Sequence, residues 1–225
     1  MPKVIEMASM SDYNQQQTDA IRMVRKHLAG LPAHRLHWLK QSIRSYLKFR
    51  ADVAIFQDEY LAETCSHKCF ASRTSACCGR EGIITFFADV VINVLLSSDQ
   101  RIDILLQTLA HDTGGYNCVY LNETGCLWRL KPIVCEMFLC DHIKQNVLDA
   151  NASLGHQWER FRQQERRYTW PTRPVLFDEL ERFFIEAGFH SPLMYLHHSP
   201  GLLRLKAKHG LDNSEVTKVP GERKT

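Results

Sequence analysis

Residues 118 to 140 read CVYLNETGCLWRLKPIVCEMFLC, and the reading of this stretch decides what kind of fold the chain can have. Two short runs rich in β-formers flank NETG, the pattern of a hairpin. Pro132 then suits the first turn of a helix running PIVCEMFLCDHI. A hairpin and a helix side by side are expected, with Cys118, Cys126, Cys135 and Cys140 spread over both. Side chains alternate along a strand, so the loop length matters. A two- or four-residue loop sets Cys126 opposite Leu121 and sends Cys118 and Cys126 to opposite faces. A three-residue loop sets Cys126 opposite Tyr120 and makes the thiols diagonal neighbours. If the two share a metal, the odd loop or a bulge is expected.

The other four cysteines lie upstream in CSHKCFASRTSACC, residues 65 to 78. The full spacing is Cys65-x3-Cys69-x7-Cys77-Cys78, a gap of 39 residues, then Cys118-x7-Cys126-x8-Cys135-x4-Cys140. Two groups of four suit the arithmetic of zinc or iron–sulfur sites, each of which usually takes four protein ligands. The count permits two tetrahedral sites, two clusters, or one site with spare thiols. A disulfide between the adjacent Cys77 and Cys78 would be strained, so these two are expected to face different partners. The competing reading is a set of buried thiols acting as small hydrophobes, or disulfides in an oxidising compartment.

Helices are expected around these arms. Residues 12 to 30 carry Ile21, Val24 and Leu28 on one face, with Gly30 as a stop. A longer helix is expected from about 33 to 62, its stripe formed by Leu36, Leu39, Ile43, Leu47 and Ala54. IITFF reads as a short buried strand and ADVVINVLL as a helix. SSDQRIDILLQTLAHD reads as another, with Ser97 and Gln100 as a capping box, Ile102, Leu105, Leu106 and Leu109 inward, and TGG as its end. Beyond the cysteines, a helical segment from about 143 to 167 places Val147, Leu154, Trp158 and Phe161 inward, with Gly155 as an expected interruption. A last helix runs from Pro174 to Ala187 with Gly188 as its stop, and the end of the chain is polar.

With 225 residues, 44% apolar content and 24% charged residues, the chain has material for a core and needs no covalent staples. The start, MPKVIEMASMSDYNQQQ, does not read as a secretory signal. GIITFFADVVINVLLSS is interrupted by Asp89 and Asn93 and falls short of the ~20 residues a bilayer requires. No membrane span and a cytoplasmic address are therefore expected, where clustered thiols serve metals or catalysis more often than disulfides. A net charge of +3 is too small to argue for nucleic acid.

The cysteine order, with ACCG, then CVYL and GCLWRLKPIVCEMFLC, resembles the cysteine-cluster family of zinc- or iron-chelating proteins, the CxxCxxCC or YkgJ-like type. On that resemblance Cys69, Cys77 and Cys78 fall in the first cluster, Cys118 opens CVYL, Cys126 opens CLW, Cys135 follows Pro132 and Cys140 closes the motif. The first cluster is looser than the family pattern. Lys131 stands where the family has Arg, Trp128 where it has Tyr, and Glu136 where it has Arg. The resemblance covers roughly residues 65 to 142, about a third of the chain. It implies a metal without naming an activity. Some proteins with similar clusters, flagellin lysine methylases among them, look like iron–sulfur proteins.

Phe70, Tyr116, Tyr120, Trp128 and Phe138 are candidates for a dry shell around an iron–sulfur cluster. His67 and His142 are candidates to replace a thiol, against the plainer reading of exposed imidazoles, and His197 and His198 read as surface residues. Asp112 and Glu136 are acids near the metal without a catalytic partner. WERFRQQERRYTWPTR interleaves Arg160, Arg162, Arg166, Arg167 and Arg173 with Trp158, Phe161, Tyr168 and Trp170. A nucleic-acid surface there is a weaker reading than a solvated amphipathic helix.

The expectation is therefore a mainly α protein with a small β-hairpin element, of the α+β class. N-terminal helices span 1–62, a cysteine-cluster metal-binding domain 63–142, C-terminal helices packed on it 143–214, and a flexible tail 215–225. The expected ligands are Cys65, Cys69, Cys77, Cys78, Cys118, Cys126, Cys135 and Cys140, and the expected cofactor is an iron–sulfur cluster, with zinc as the alternative. A protein partner or substrate is left open, and no reaction is named.

Overall fold

The computed structural model describes residues 12–75, 77–79, 84–111, 117–169 and 175–195. Helix α1 spans Asp12–Ala29 and buries Ile21, Val24 and Leu28, as the periodicity predicts. The expected helix over 33–62 is two helices, α2 (Ala33–Ser42) and α3 (Arg44–Tyr60). Ile43 separates them at φ −88°, ψ −5°, a backbone that leaves the α-helical ladder while keeping its side chain fully inward. The apolar repeat therefore runs through the break without recording it. Ala54 is exposed, and the buried stripe of α3 is Tyr46, Phe49, Arg50, Val53 and Phe56.

A π-helix, Glu63–Phe70, continues from the end of α3, with the Cys65 N–H on the Leu61 carbonyl at 2.8 Å. IITFF is not a strand where described: residues 84–86 have no strand partner, Ile84 is exposed, and Phe87 opens helix α4 (Phe87–Leu96). Asp89 explains this local choice. Its carboxylate reaches back to the Phe86 N–H at 3.1 Å and caps the first turn. Helix α5 (Asp99–Ala110) buries Ile102, Leu105 and Leu109, but Ser98 rather than Ser97 caps it, accepting from the Arg101 N–H at 3.4 Å. TGG lies outside the described residues.

Strands β1 (Leu121–Asn122) and β2 (Gly125–Cys126) pair antiparallel, Leu121 against Cys126 and Asn122 against Gly125. Helix α6 (Ile133–Met137) follows Pro132 and stops where Phe138 turns extended. The single helix expected from Pro132 to Ile143 is thus broken, and Cys135 and Cys140 sit on different segments. A short turn, α7 (Asp141–Ile143), leads into a second π-helix, Lys144–Leu148.

Helix α8 spans Ala152–Thr169 and runs unbroken through Gly155. A Cβ there would lie 3.1 Å from the Leu148 carbonyl oxygen, so the glycine serves close packing on the second π-helix rather than interrupting α8. Helix α9 (Leu176–Glu186) ends at Gly188 with φ +83°, as its stop predicts. Gly188→Ala is expected to cost about 1 kcal/mol, because open space around the position does not relieve the backbone conformation. A urea denaturation midpoint measures it.

Packing runs α1 on α4 and α5, α4 on α9, α9 on α8, and α8 on α3. One hydrophobic cluster joins Val24, Phe49, Val91, Tyr120, Ile133, Trp158 and Phe184, drawn from both sides of the cysteine segments and from within them. Among the described residues the fold is mainly α with one two-stranded hairpin, as expected. Among the described residues no helix is long and apolar enough to cross a membrane.

Candidate metal centre

The second cysteine arm has little regular structure of its own, so its backbone polar groups need partners from elsewhere. Side chains from three helices supply them. From α4, Asn93 donates to the Leu130 carbonyl at 3.0 Å and accepts from the Leu130 N–H at 2.9 Å, while Asp89 accepts from the Ile133 N–H at 3.1 Å. From α3, Arg50 donates to the Lys131 carbonyl and Gln57 to the Glu136 carbonyl, each at 2.7 Å. From α8, Arg162 donates to the Met137 carbonyl at 3.5 Å. Arg50 is further fixed by the Tyr46 hydroxyl at 2.7 Å and by the Glu136 carboxylate at 3.5 Å. Glu136, expected as an acid near the metal, is therefore committed to a buried ion pair. Asp112 lies outside the described residues.

The two arms meet through backbone. Gly79 and Asn117 form an antiparallel bridge, and the Cys118 N–H donates to the Cys78 carbonyl at 2.7 Å. Cys77 Sγ and Cys78 Sγ stand 4.0 Å apart. All eight cysteines are free thiols; Cys77 is exposed and the others are half-buried. Cys65 and Cys69 share the π-helix, four residues apart.

The hairpin corrects the expectation of an odd loop. Its loop is the two residues Glu123 and Thr124, and Cys126 faces Leu121. Alternation does not carry back to Cys118, because the Leu121 N–H bonds the Cys118 carbonyl at 3.0 Å and closes a turn before the strand begins. The even loop therefore does not separate the two thiols, and each sulfur's charge raises the cost of charging a neighbour: Cys118 feels Cys126 directly.

Burial pushes the Cys118 thiol up to about 11, against hydrogen bonds from the Tyr120 and Leu121 N–H groups that favour its thiolate. Burial also raises Cys126, opposed by the Trp128 N–H and by Lys131. Each thiol of the hairpin thus meets the N–H two residues onward. Burial pushes Cys135 up to about 12 and raises Cys65. The hydrogen bond between the adjacent pair lowers Cys77 to about 6 and raises Cys78. The half-exposed Lys131 ammonium favours the thiolates of Cys65, Cys77 and Cys126 together.

Helix α1 closes one side. The Tyr120 hydroxyl donates to Gln17 at 3.2 Å, and Tyr13, held to Thr85 at 3.5 Å, senses the charges of Cys118 and Cys135. Of the expected aromatic shell, Tyr120 and Trp128 are buried and pack edge to face, Phe70 is half-buried, and Phe138 is 52% exposed. Tyr116 lies outside the described residues. His67 is exposed and pairs with Glu63 at 3.1 Å, while His142 Nδ1 meets the Asn146 amide at 3.1 Å. His197 and His198 are not among the described residues.

Among the described residues, no three His, Cys, Asp or Glu side chains stand in a geometry that would hold a metal ion. Thiolate sulfur is the donor type that thiophilic metals take. Thiols of the two arms sense one another's charge, Cys65 with Cys140 and Cys78 with Cys118 and Cys126, backbone N–H groups meet two of the sulfurs, and Gln17 Nε2 and Trp128 Nε1, flanking Tyr120, are buried donors without an acceptor.

In the arginine-rich segment, Trp158 is buried against Phe56, Phe161 packs on Phe49 and Phe56, and Tyr168 stacks on Phe49 with its hydroxyl on the Ser45 carbonyl. These rings face α3. Trp170 and Arg173 lie outside the described residues. Comparison with protein-family models, with curated proteins and with solved structures finds no match.

Proposed function

We propose that this chain is a metal-binding protein whose cysteines ligate a centre at the meeting of the two arms, iron–sulfur in the first reading and structural zinc in the second. The observation that carries it is the bridge between segments 39 residues apart, with Cys78 and Cys118 hydrogen-bonded through their backbones at its heart. Chain entropy opposes bringing such segments together, and eight free, mostly half-buried thiols in two groups of four match the ligand count of thiolate sites. The resemblance to the cysteine-cluster family rests on the order of cysteines and Pro132, and it points the same way.

The chain's own residues would do three things at such a centre. Cys65, Cys69, Cys77, Cys78, Cys118, Cys126, Cys135 and Cys140 would provide sulfur. Lys131 and the Tyr120, Leu121 and Trp128 N–H groups would stabilise thiolate charge. Tyr13, Tyr120 and Trp128 would exclude water. A bound iron–sulfur cluster would supply redox chemistry or serve a modification reaction; zinc would fix the junction and leave the helices as an interaction module.

Anaerobic purification followed by metal analysis and a visible spectrum tests the reading. Brown protein containing iron and sulfide is the expected result. Colourless, zinc-loaded protein selects the second reading, and protein that takes up neither metal overturns both.

A further inference from the structure

The adjacent pair Cys77 and Cys78 departs from the expectation that its members face different partners. The chain turns here: the Cys78 N–H donates to the Ser75 carbonyl at 2.8 Å, and the two sulfurs stand 4.0 Å apart. Neighbouring side chains alternate in direction only along an extended strand, and a turn removes that constraint. Cys77 is exposed and Cys78 half-buried, so the pair can be reached from solvent.

Both flanks of the pair are anchored. Upstream, the Thr74 and Ser75 N–H groups both donate to the Cys69 carbonyl, at 3.1 and 3.2 Å, and Ser75 is buried with φ +39°. Arg73 has φ +60°, and two left-handed residues that are not glycine mark a backbone held by its surroundings rather than by local preference. Downstream, the Cys78 carbonyl accepts the Cys118 N–H at 2.7 Å, and Gly79 bridges to Asn117. The two thiols are thus set side by side before any ligand arrives, which spares a chelated ligand the cost of ordering them.

The separation decides what can join them. A direct S–S bond of about 2.05 Å would have to close roughly half the gap against the planar trans peptide between the two residues. Two bonds to one shared atom, each about 2.3 Å for thiolate sulfur on a soft acceptor, span the gap nearly as it stands. Among the described residues no group of three His, Cys, Asp or Glu side chains is placed to hold a metal ion, so the acceptor that fits is one that two sulfurs satisfy. A trivalent arsenic atom bearing one organic substituent has just two valences to fill. We propose that Cys77 and Cys78 form a vicinal-dithiol site for trivalent organoarsenicals, acting as a pair and not as part of a larger cluster. On binding R–As=O, the arsenic–oxygen bonding and two S–H bonds are exchanged for two arsenic–sulfur bonds and one molecule of water; arsenic stays trivalent and neither sulfur is oxidised. The site requires no resident metal and so stands apart from the metal-centre reading, although a centre that engaged either sulfur would exclude the arsenical.

The test uses the full chain, reduced and metal-free, titrated with phenylarsine oxide and followed by native mass spectrometry. The first and tightest equivalent should be reversed by a small dithiol but not by an excess of monothiol. Cys77→Ser and Cys78→Ser should each weaken it by about 100-fold or more, because a single arsenic–sulfur bond loses the intramolecular advantage of the second. Cys69→Ser and Cys126→Ser should leave it unchanged. Cys77→Ser, at the exposed position, decides the matter if Cys78→Ser, whose backbone meets Cys118, loses helical circular dichroism. An affinity that Cys77→Ser leaves as it was, or that Cys69→Ser or Cys126→Ser lowers as far as Cys77→Ser does, would overturn the pair as the site. So would wild-type binding that a monothiol reverses as readily as a dithiol. None of these results bears on the uptake of iron or zinc, which metal analysis reads separately.

Discussion

Arg50→Met is expected to lower the stability of the metal-free chain by about 3–5 kcal/mol, the usual consequence of removing one partner from a buried ion pair. Arg50 and Glu136 are only 3% and 7% exposed in their side chains, so little solvent reaches the carboxylate, and the half-exposed Lys131 ammonium, 3.7 Å from the same oxygen, compensates it only in part. The substitution also strips the Lys131 carbonyl and the Tyr46 hydroxyl of a donor, each bonded at 2.7 Å. Methionine keeps much of the side-chain volume, which separates the polar loss from a cavity. Urea denaturation followed by circular dichroism measures the change. Arg50→Met combined with Glu136→Gln should recover part of it, because the double variant leaves no buried unpaired charge and the Lys131 ammonium is half-exposed to solvent. Arg50→Lys should not rescue, since one ammonium cannot serve a hydroxyl, a carbonyl and a carboxylate in this planar arrangement. A loss below about 1 kcal/mol would show the pair to be effectively solvated.

Arg50 also shows what a sequence can and cannot disclose here. Helices α1, α4, α5 and α9 are legible because their apolar residues recur at helical spacing and turn signals bound several of them. The hairpin is legible from NETG and its β-forming flanks. The cysteine order is legible as two arms, while the backbone bridge that joins them depends on tertiary hydrogen bonds that no spacing records. The π-helices are illegible because eight and five residues are too few for their period to stand apart from an α-helix. The clamp residues fail for a different reason. Asp89 and Asn93 look like interruptions in an apolar run, yet both are buried to hold the backbone of the second arm. A polar residue on an otherwise apolar helix face is a candidate long-range clamp, and that was the available signal. Gln17 and Arg50 carry the same signal on α1 and α3.

Asp89 should also give the chain a stability that falls as pH rises toward neutrality. Burial raises its carboxyl from the ordinary 3.8 to about 7, despite Arg50 and the Ile133 and Phe86 N–H groups, which favour the charged form. The folded chain then binds a proton that the unfolded chain has already released over the interval between those values. By linkage, the stabilising contribution of the protonated acid is fully present below about pH 4 and is lost as pH climbs through about 7. From about pH 5 to about pH 8 the loss should be roughly 2 to 3 kcal/mol, since a tenfold change in proton affinity is worth about 1.4 kcal/mol. The exposed Cys77 is lowered into the same range, so the quantity to measure is the difference between wild type and Asp89→Asn, both reduced and metal-free. The asparagine variant keeps one acceptor oxygen and gives up the other, so it should be less stable at pH 5. Its deficit should shrink toward pH 8, where wild type carries a buried charge and the variant does not. A deficit that stays constant across the range would mean that Asp89 is ionised throughout, and that the α4 clamp on Ile133 is a carboxylate rather than an acid.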